Sequence, residues 1–241
     1  FFYFKRFLVI MSGGDSFLAN RKDLRDVDVA SKWKLLLTKD QINKAVSHCA
    51  KEIERVFEGE EFVVVCILKG CVYFFVDLTR NLTIPYSTYF IEASSYHDSQ
   101  TQSETVELLS VLVPKKFEGK KVILLDELFD SGTTLQLVKE KLMEDLGKSA
   151  DDIYTCTLFI KQTETPASRP LPDLYGIALP DVWVVGYGLD DAQEKRGWEY
   201  LYGVPKAIES IPKTKDDAMF DSEEVYKSCL EMLEKQLEKI N

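Results

Sequence analysis

The sequence predicts an α/β protein built on a doubly wound, mostly parallel sheet. Short apolar segments recur along the chain, as in strands that are covered on both faces. Segments with helical hydrophobic spacing separate them, and polar residues follow the strands at their ends. The apolar segments are residues 62–68, 122–125, 154–160 and 182–185. Because 45% of the 241 residues are hydrophobic, the chain can bury a full core.

Residues 1–37 precede the first clear element and predict an N-terminal extension. Residues 1–10 are apolar and aromatic, whereas Met11 opens a polar stretch, so we interpret residues 1–10 as non-native upstream translated sequence. A membrane-touching N-terminus is the alternative interpretation. Thr38 and Gln41 form a T-x-x-Q capping box ahead of an amphipathic pattern, which predicts the first helix.

The first core strand, residues 62–68, is β-branched and continuously apolar. Lys69 and Gly70 follow it directly, and an apolar helix is predicted over 71–82. This unit therefore has the order strand, turn with a candidate functional lysine, and helix.

A long antiparallel excursion is predicted next. Residues 86–91 indicate a strand, and residues 93–104 are polar and hydroxyl-rich without a hydrophobic period, which predicts a flexible loop. A strand over 106–113 would return the chain to the sheet.

The segment KVILLDELFDSGTT, residues 121–134, is the centre of the predicted site. Its apolar strand ends in Asp126 and Glu127, and the small residues 130–134 open a helix. Backbone N–H groups of such a loop can converge on an anion, and the helix N-terminus adds positive potential. An ordinary helix N-cap has the same composition. The two carboxylates favour the anion site. Acids beside a phosphate repel it unless they hold a sugar hydroxyl or a metal ion that accompanies the phosphate.

Two further apolar strands end in polar residues. Residues 154–160 lead to Lys161, and residues 182–185 lead through a G-Y-G turn to Asp190, with Arg196 beyond it. Because parallel strands end at the same edge of a sheet, we expect the four strand ends to form one basin of acids, cations and an anion-binding loop.

The chain is expected to have three regions: the extension 1–37, an α/β domain over 38–212, and a C-terminal helix within 213–241. That helix is amphipathic and is expected to pack on the domain or at a subunit contact. Its apolar residues are Val225, Cys229, Leu233, Leu237 and Ile240.

The net charge and the length of the apolar N-terminal segment argue against two classes of partner. The net charge of −10 is unlike that of a nucleic-acid-binding protein, which needs a basic surface, so we expect no nucleic acid. Apolar residues 1–10 are too short to span a bilayer, and we expect no membrane partner. The five cysteines are odd in number and lack C-x-x-C spacing, which indicates reduced thiols and a cytoplasmic protein.

The segment VILLDELFDSGTTL resembles the phosphoribosyl-diphosphate (PRPP) binding signature of the type I phosphoribosyltransferases, an apolar strand followed by two acids and Asp-Ser/Thr-Gly-x-Thr. More narrowly, the chain resembles the hypoxanthine-guanine phosphoribosyltransferase class of purine salvage enzymes. That likeness rests on Leu68-Lys69-Gly70, on Ser95-Tyr96 and on the segment WVVGYGLD at 183–190. It covers roughly residues 38–212 and implies the type I phosphoribosyltransferase fold, with a small hood formed by terminal segments.

The resemblance implies transfer of the 5-phosphoribosyl group of PRPP to a 6-oxopurine, with release of pyrophosphate and a requirement for Mg²⁺. Guanine is the favoured base, which would give GMP, and hypoxanthine is the other candidate, which would give IMP. A homodimer or homotetramer is expected.

The resemblance also implies a role for each candidate residue. Asp130 would be the catalytic acid–base group, Lys161 would donate a hydrogen bond to the 6-oxo group, and Trp183 would stack on the purine. For PRPP, the resemblance implies that the 5-phosphate is bound by Asp130, Ser131, Gly132, Thr133 and Thr134, the ribose by Asp126 and Glu127, and the pyrophosphate by Lys69, Gly70 and Arg196. The backbone of Val184 and Asp190 would contact the purine, and Asp190, Asp126 and Glu127 would bind the metal. Ser95 and Tyr96 would belong to a loop that closes over the site.

Three features depart from the family pattern. The acidic pair is usually Glu-Asp, but here it is Asp126-Glu127, and Thr133 stands where the family loop often has lysine. Glu92 lies near a position that is often basic in relatives. These changes affect the expected substrate preference more than the reaction type.

Alternative interpretations exist for the protein and for single residues. A non-catalytic PRPP-binding regulator would keep the fold but would not need Lys161 or Trp183. A receiver-like signalling domain would need an acidic pair after residues 62–68, where the chain has Lys69 and Gly70. Taken alone, each lysine could be an exposed strand end and Trp183 ordinary core.

Overall fold

The computed structural model describes residues 33–97, 104–162, 170–204 and 223–240, which form nine strands and four α-helices. The strands are β1 Lys34–Leu37, β2 Phe62–Leu68, β3 Ser87–His97, β4 Glu104–Leu108, β5 Lys121–Phe129, β6 Ile153–Lys161, β7 Leu174–Leu179, β8 Trp183–Val185 and β9 Leu201–Val204. The helices are α1 Lys39–Val56, α2 Val72–Asn81, α3 Thr133–Leu146 and α4 Glu223–Lys239.

The main sheet has six strands in the order β4-β3-β2-β5-β6-β7. All neighbours pair in parallel except β3 and β4. The predicted mostly parallel α/β sheet is therefore confirmed, and β2, β5 and β6 are adjacent at its centre.

Both faces of this sheet are covered, as its apolar strands require. On β2, Val64 and Cys66 pack in the core shared with α1 and α2, whereas Val63 and Val65 pack in the core shared with α3. This alternation makes the sheet doubly wound. It also explains why β2 has no polar residue before its end.

A second, three-stranded antiparallel sheet has the order β1-β9-β8. It corresponds to the predicted hood. The prediction that residues 182–185 form the fourth parallel strand is wrong, because β8 belongs to this smaller sheet and the last parallel strand is β7. Strand β7 escaped prediction because Gly176 interrupts its apolar pattern.

The antiparallel excursion is present, but its strands differ from those predicted. Strand β3 continues to His97, through residues that were predicted to be loop because they are polar. The returning strand β4 is Glu104–Leu108, so the predicted strand over 106–113 is wrong in its second half. Cross-strand pairing of the backbone decides this segment, and residues 98–103 lie outside the described residues.

Helix α4 packs on the main sheet beside β7. Cys229, Leu233 and Leu237 are buried in the larger core. The Gln236 side chain accepts a hydrogen bond from the Ala178 N–H at 2.9 Å and donates one to the Ala178 carbonyl at 3.0 Å. Within the described ranges, no helix has the length and apolar character needed to cross a membrane.

Candidate active site

Three predicted strand ends lie side by side at the carboxyl edge of the main sheet. Because β2, β5 and β6 are neighbours in parallel register, they place their last residues at this edge. Lys69 follows β2, Asp126 and Glu127 lie near the end of β5, and Lys161 is the last residue of β6. The edge thus gathers two lysines and two acids.

The turn after β8 reaches the same place from the smaller sheet. A Cβ added to Gly188 would lie 2.1 Å from the Gly70 carbonyl oxygen, and a Cβ added to Gly70 would lie 1.9 Å from Glu127 Oε1. Gly188 has no room for a side chain because it meets backbone, whereas a side chain at Gly70 would require the Glu127 carboxylate to move. These close approaches join the turn to the ends of β2 and β5.

Tyr187 lies at the centre of a turn with left-handed backbone. Its φ is +48°, and those of Gly186 and Gly188 are +95° and +100°. Glycine adopts this conformation readily, whereas tyrosine needs a compensating interaction. The buried Tyr187 hydroxyl donates a 2.8 Å hydrogen bond to Asp77 Oδ2 on α2. Burial, and then this hydrogen bond, raise the pKa of Tyr187, so the hydroxyl stays a donor.

The same turn orients Arg196. Arg196 Nη2 lies 2.6 Å from Asp190 Oδ1, and Nη1 donates a 2.8 Å hydrogen bond to the Gly188 carbonyl. The Gln193 backbone N–H donates to Asp190 Oδ2 at 2.8 Å. The guanidinium is therefore fixed by a carboxylate and a backbone carbonyl at the site.

The loop over 130–134 leads into the N-terminus of α3. Gly132 precedes the helix with φ +77° and lies on the Phe129 ring, where an added Cβ would come within 2.4 Å of Cζ. The Ser131 and Thr133 hydroxyls lie 3.0 Å apart, and Thr133 is buried. The first N–H groups of a helix have no partner within it, so this loop offers donors and positive potential to an anion.

Lys161 and Asp130 form an ion pair across the site. Lys161 Nζ lies 2.6 Å from Asp130 Oδ2, and the exposed fractions of the two side chains are 6% and 52%. The interpretation of Lys161 as an exposed strand end is therefore wrong. A buried ammonium needs a charged or polar partner, and Asp130 provides it while it keeps a solvent-facing surface.

Lys69 has the opposite surroundings. Its side chain is 67% exposed, and its Nζ lies 3.9 Å from Glu92 Oε1 on β3. The Leu68–Lys69 peptide bond is cis. Exposure makes this ammonium available to a ligand.

Asp126 and Glu127 are half-buried acids at adjacent positions. Burial, and then the charge of Glu127, raise the pKa of Asp126 well above its usual range. Burial also raises the pKa of Glu127, although the nearby Arg196 opposes this shift. Asp126 Oδ1 accepts a 3.0 Å hydrogen bond from the Glu127 N–H. Both carboxyls are therefore held in surroundings that disfavour their charge until a ligand or cation compensates it.

Trp183 and Val184 begin the smaller sheet's strand β8. Val184 is buried, but Trp183 is 40% exposed, so its interpretation as ordinary core is wrong. Ser95 and Tyr96 lie on β3, and their side chains are outside the part of the chain that the structure describes.

Sequence reasoning missed Asp77 and Gln193 as contacts of the site. Asp77 meets Tyr187 across a separation of 110 residues. A single acid in a helix gives no sequence signal for such a partner. Gln193 contributes its backbone N–H, which any residue except proline would provide, and its side-chain Oε1 accepts a 3.4 Å hydrogen bond from Arg196 Nη2.

A divalent cation fits the chemistry of the acids at this edge. Within the described ranges, no cluster of three His, Cys, Asp or Glu side chains forms a metal site of its own. Asp126, Glu127 and Asp190 nevertheless carry the carboxylate oxygens that hard divalent cations prefer, and such a cation beside a phosphate can be held by only one or two of them. A cation would also offset the unfavourable surroundings of the first two acids.

Comparisons with known proteins agree with this geometry. A family model for the phosphoribosyl transferase domain matches residues 32–192. The hypoxanthine-guanine phosphoribosyltransferase of Aquifex aeolicus is 34% identical over 174 residues, which cover 72% of this chain and 95% of that protein. The hypoxanthine phosphoribosyltransferase of Salmonella typhimurium is 31% identical over 169 residues, which cover 69% and 92%.

A solved structure gives the same result. The crystal structure of a hypoxanthine-guanine phosphoribosyltransferase from Bacillus anthracis is similar to this chain with a TM-score of 0.62 and 32% identity. The match covers 72% of this chain and 99% of that one.

Proposed function

The chain belongs to the phosphoribosyl transferase family, and we propose that it is a purine salvage enzyme that transfers 5-phosphoribosyl from PRPP to a 6-oxopurine. Its relatives named above are hypoxanthine and hypoxanthine-guanine phosphoribosyltransferases. The resemblance to the type I, hypoxanthine-guanine class is thus confirmed, and with it the prediction of an enzyme. The products would be a nucleoside monophosphate and pyrophosphate.

The observation that carries the proposal is the pairing of Lys161 with Asp130 at 2.6 Å. A 6-oxopurine presents an oxygen acceptor beside an imidazole nitrogen, which matches a cationic donor beside an acid. Lys161 would donate to the 6-oxo group, and Asp130 would exchange a proton with the imidazole nitrogen. Adenine lacks the 6-oxo acceptor and would be disfavoured.

The phosphoribosyl end of PRPP would lie over β5 and α3. Backbone N–H groups of residues 130–134 would hold the 5-phosphate at the helix N-terminus. Asp126 and Glu127 would accept hydrogen bonds from the ribose hydroxyls. Because Thr133 carries no charge, the amides carry most of the phosphate binding.

The pyrophosphate end would lie between β2 and the turn after β8. Lys69, the Gly70 N–H and Arg196 would bind it, and Arg196 is already directed by the Gly188 carbonyl. Asp190, together with Asp126 and Glu127, would hold Mg²⁺, which would neutralise charge that develops on the leaving group.

Three further contacts complete the proposed site. Trp183 would stack on the purine, since its ring remains partly exposed, and the backbone carbonyls of Val184 and Asp190 would read the 2-position. The segment with Ser95 and Tyr96 would close over the reacting centre and exclude water.

Preference and assembly are also proposed. Guanine is the favoured base and hypoxanthine the other candidate. We propose a homodimer or homotetramer, residues 38–212 as the catalytic domain, and a cytoplasmic location. The location is supported by the five buried cysteines, all of which are free thiols.

The test is an ultraviolet assay of purified protein with PRPP, Mg²⁺ and each of guanine, hypoxanthine, xanthine and adenine. Nucleotide formation from guanine or hypoxanthine, with adenine inert, is the expected result. If no 6-oxopurine gave a product, the proposal that the protein is an enzyme would be contradicted. If calorimetry then showed PRPP binding, the second candidate, a non-catalytic PRPP-binding regulator, would replace it.

A further inference from the structure

Glu92 lies beside the lysine that the proposed function assigns to pyrophosphate. In the parallel pairing of β2 and β3, Leu68 is opposite Glu92, so Lys69 begins one residue beyond it. Glu92 Oε1 lies 3.9 Å from Lys69 Nζ. The carboxylate is therefore close enough to compete for the ammonium.

The backbone of Glu92 is held on the side away from β2. Its N–H donates a 2.8 Å hydrogen bond to Ser110 Oγ, and its carbonyl accepts a 2.8 Å hydrogen bond from the Leu109 N–H. Only the side chain is left to move. Because the Glu92 backbone is fixed beside the end of β2, its carboxylate remains within reach of Lys69 when Lys69 turns to a ligand.

Both cations of the proposed pyrophosphate site already have carboxylate partners. Arg196 pairs with Asp190 at 2.6 Å in partly buried surroundings, whereas the Lys69–Glu92 pair is longer and more exposed. An exposed ion pair is weak, so an anion can displace Glu92 from Lys69. The displaced carboxylate then repels the anion that replaced it.

We propose that Glu92 sets the affinity of this enzyme for pyrophosphate by competing with it for Lys69. This inference rests on the proposed function, because it needs pyrophosphate to bind at Lys69. Competition weakens binding of the diphosphate end of PRPP and favours release of pyrophosphate after transfer. The purine half of the site, at Lys161, is unaffected.

The test compares Glu92→Gln with Glu92→Asp, which keeps the charge, and with Glu118→Gln, which makes the same charge change at an exposed position preceding β5. Calorimetry measures binding of pyrophosphate with Mg²⁺ to each purified protein. Glu92→Gln should lower Kd by about threefold to tenfold, the size expected for removing one charge a few ångströms from a polyanion. Glu92→Asp and Glu118→Gln should bind as the wild type does.

Three further readouts separate competition from a purely structural effect. The gain in affinity should shrink as salt is raised from about 0.05 M to about 0.5 M, because salt screens exposed charges. In steady-state kinetics the KM for PRPP should fall and the KM for guanine should stay constant. In a Lys69→Gln background, Glu92→Gln should give less gain.

Unchanged or weaker pyrophosphate binding by Glu92→Gln would overturn the proposal, and weaker binding would assign Glu92 to orienting Lys69 or to holding the metal. A full gain in the Lys69→Gln background would also overturn it. A wild type that neither binds pyrophosphate nor makes nucleotide would remove the proposed function as well. A wild type that turns over, with no gain from Glu92→Gln, would remove this inference alone.

Discussion

The Tyr187 hydroxyl donates a hydrogen bond to Asp77, and this contact ties the turn after β8 to helix α2. Helix α2 begins just after Lys69 and Gly70, so the contact links the two segments proposed to bind pyrophosphate. The left-handed backbone at Tyr187 is thus held from outside the turn.

Tyr187→Phe should lower the free energy of unfolding by about 1–3 kcal/mol, since it leaves the Asp77 carboxylate without its buried donor. It should also raise the KM for PRPP, because the Gly188 carbonyl that orients Arg196 follows Tyr187 directly. Urea denaturation and steady-state kinetics measure the two effects. The control is Tyr175→Phe at a 41% exposed tyrosine, expected to stay within about 0.5 kcal/mol. Equal stability of both variants would contradict this role.

Asp130→Asn should lower kcat by about 10²–10⁴-fold, the range for removal of a general acid–base group. The amide oxygen can still accept a hydrogen bond from Lys161, so the fold should persist. Single-turnover kinetics with guanine and PRPP measure the loss. Asp151→Asn, at an exposed acid in the 3₁₀ segment Ala150–Asp152, is the control and should turn over normally. Near-normal turnover by Asp130→Asn would remove Asp130 from catalysis.

Lys161→Ala should reduce kcat/KM for 6-oxopurines by about 10–100-fold, because it removes a charged hydrogen-bond donor. Binding of PRPP with Mg²⁺, measured by calorimetry, should stay largely intact. Lys227→Ala, at an exposed lysine on α4, is the control. Loss of PRPP binding in Lys161→Ala would contradict the assignment, because it would place the lysine in the PRPP half of the site and not in the purine half.

Asp126→Asn should stabilise the ligand-free protein at pH 7 by about 0.5–2 kcal/mol while weakening PRPP binding. Since burial raises the folded-state pKa of this carboxyl, the folded protein holds the proton more tightly than the unfolded chain. Its stabilising contribution is complete below the unfolded pKa, about 4, and is lost as pH rises through the folded pKa.

The stability difference between Asp126→Asn and wild type should therefore grow as pH rises above about 4. Urea denaturation at a series of pH values measures it. A difference independent of pH would mean that charge at Asp126 does not cost stability.

Local signals predicted much of the fold. The Thr38–Gln41 capping box is present with both of its hydrogen bonds. Strand β2 has the predicted bounds of residues 62–68. Caps and continuous apolar runs depend on residues near one another in sequence, so they can be recognised without the fold.

Pairing between distant strands was not predictable in the same way. The apolar segment of β8 suits either sheet, and only its pairing with β9 decides which one it joins. The same difference between local and long-range features applies to the site. Motifs indicated Lys161 and Asp130 separately, but their ion pair and the Lys69–Glu92 pair depend on side-chain directions that a linear pattern does not contain.

The two hydrogen bonds between Gln236 and Ala178 have a consequence for association between chains. Strand β7 is the last strand of its sheet, and such strands offer unsatisfied backbone groups to strands of other molecules. Gln236 occupies both backbone groups of Ala178 as a neighbouring strand would. Helix α4 thereby covers a sheet edge that could pair with strands of other molecules. A chain shortened before residue 223 is expected to aggregate through β7, even with the proposed site residues intact.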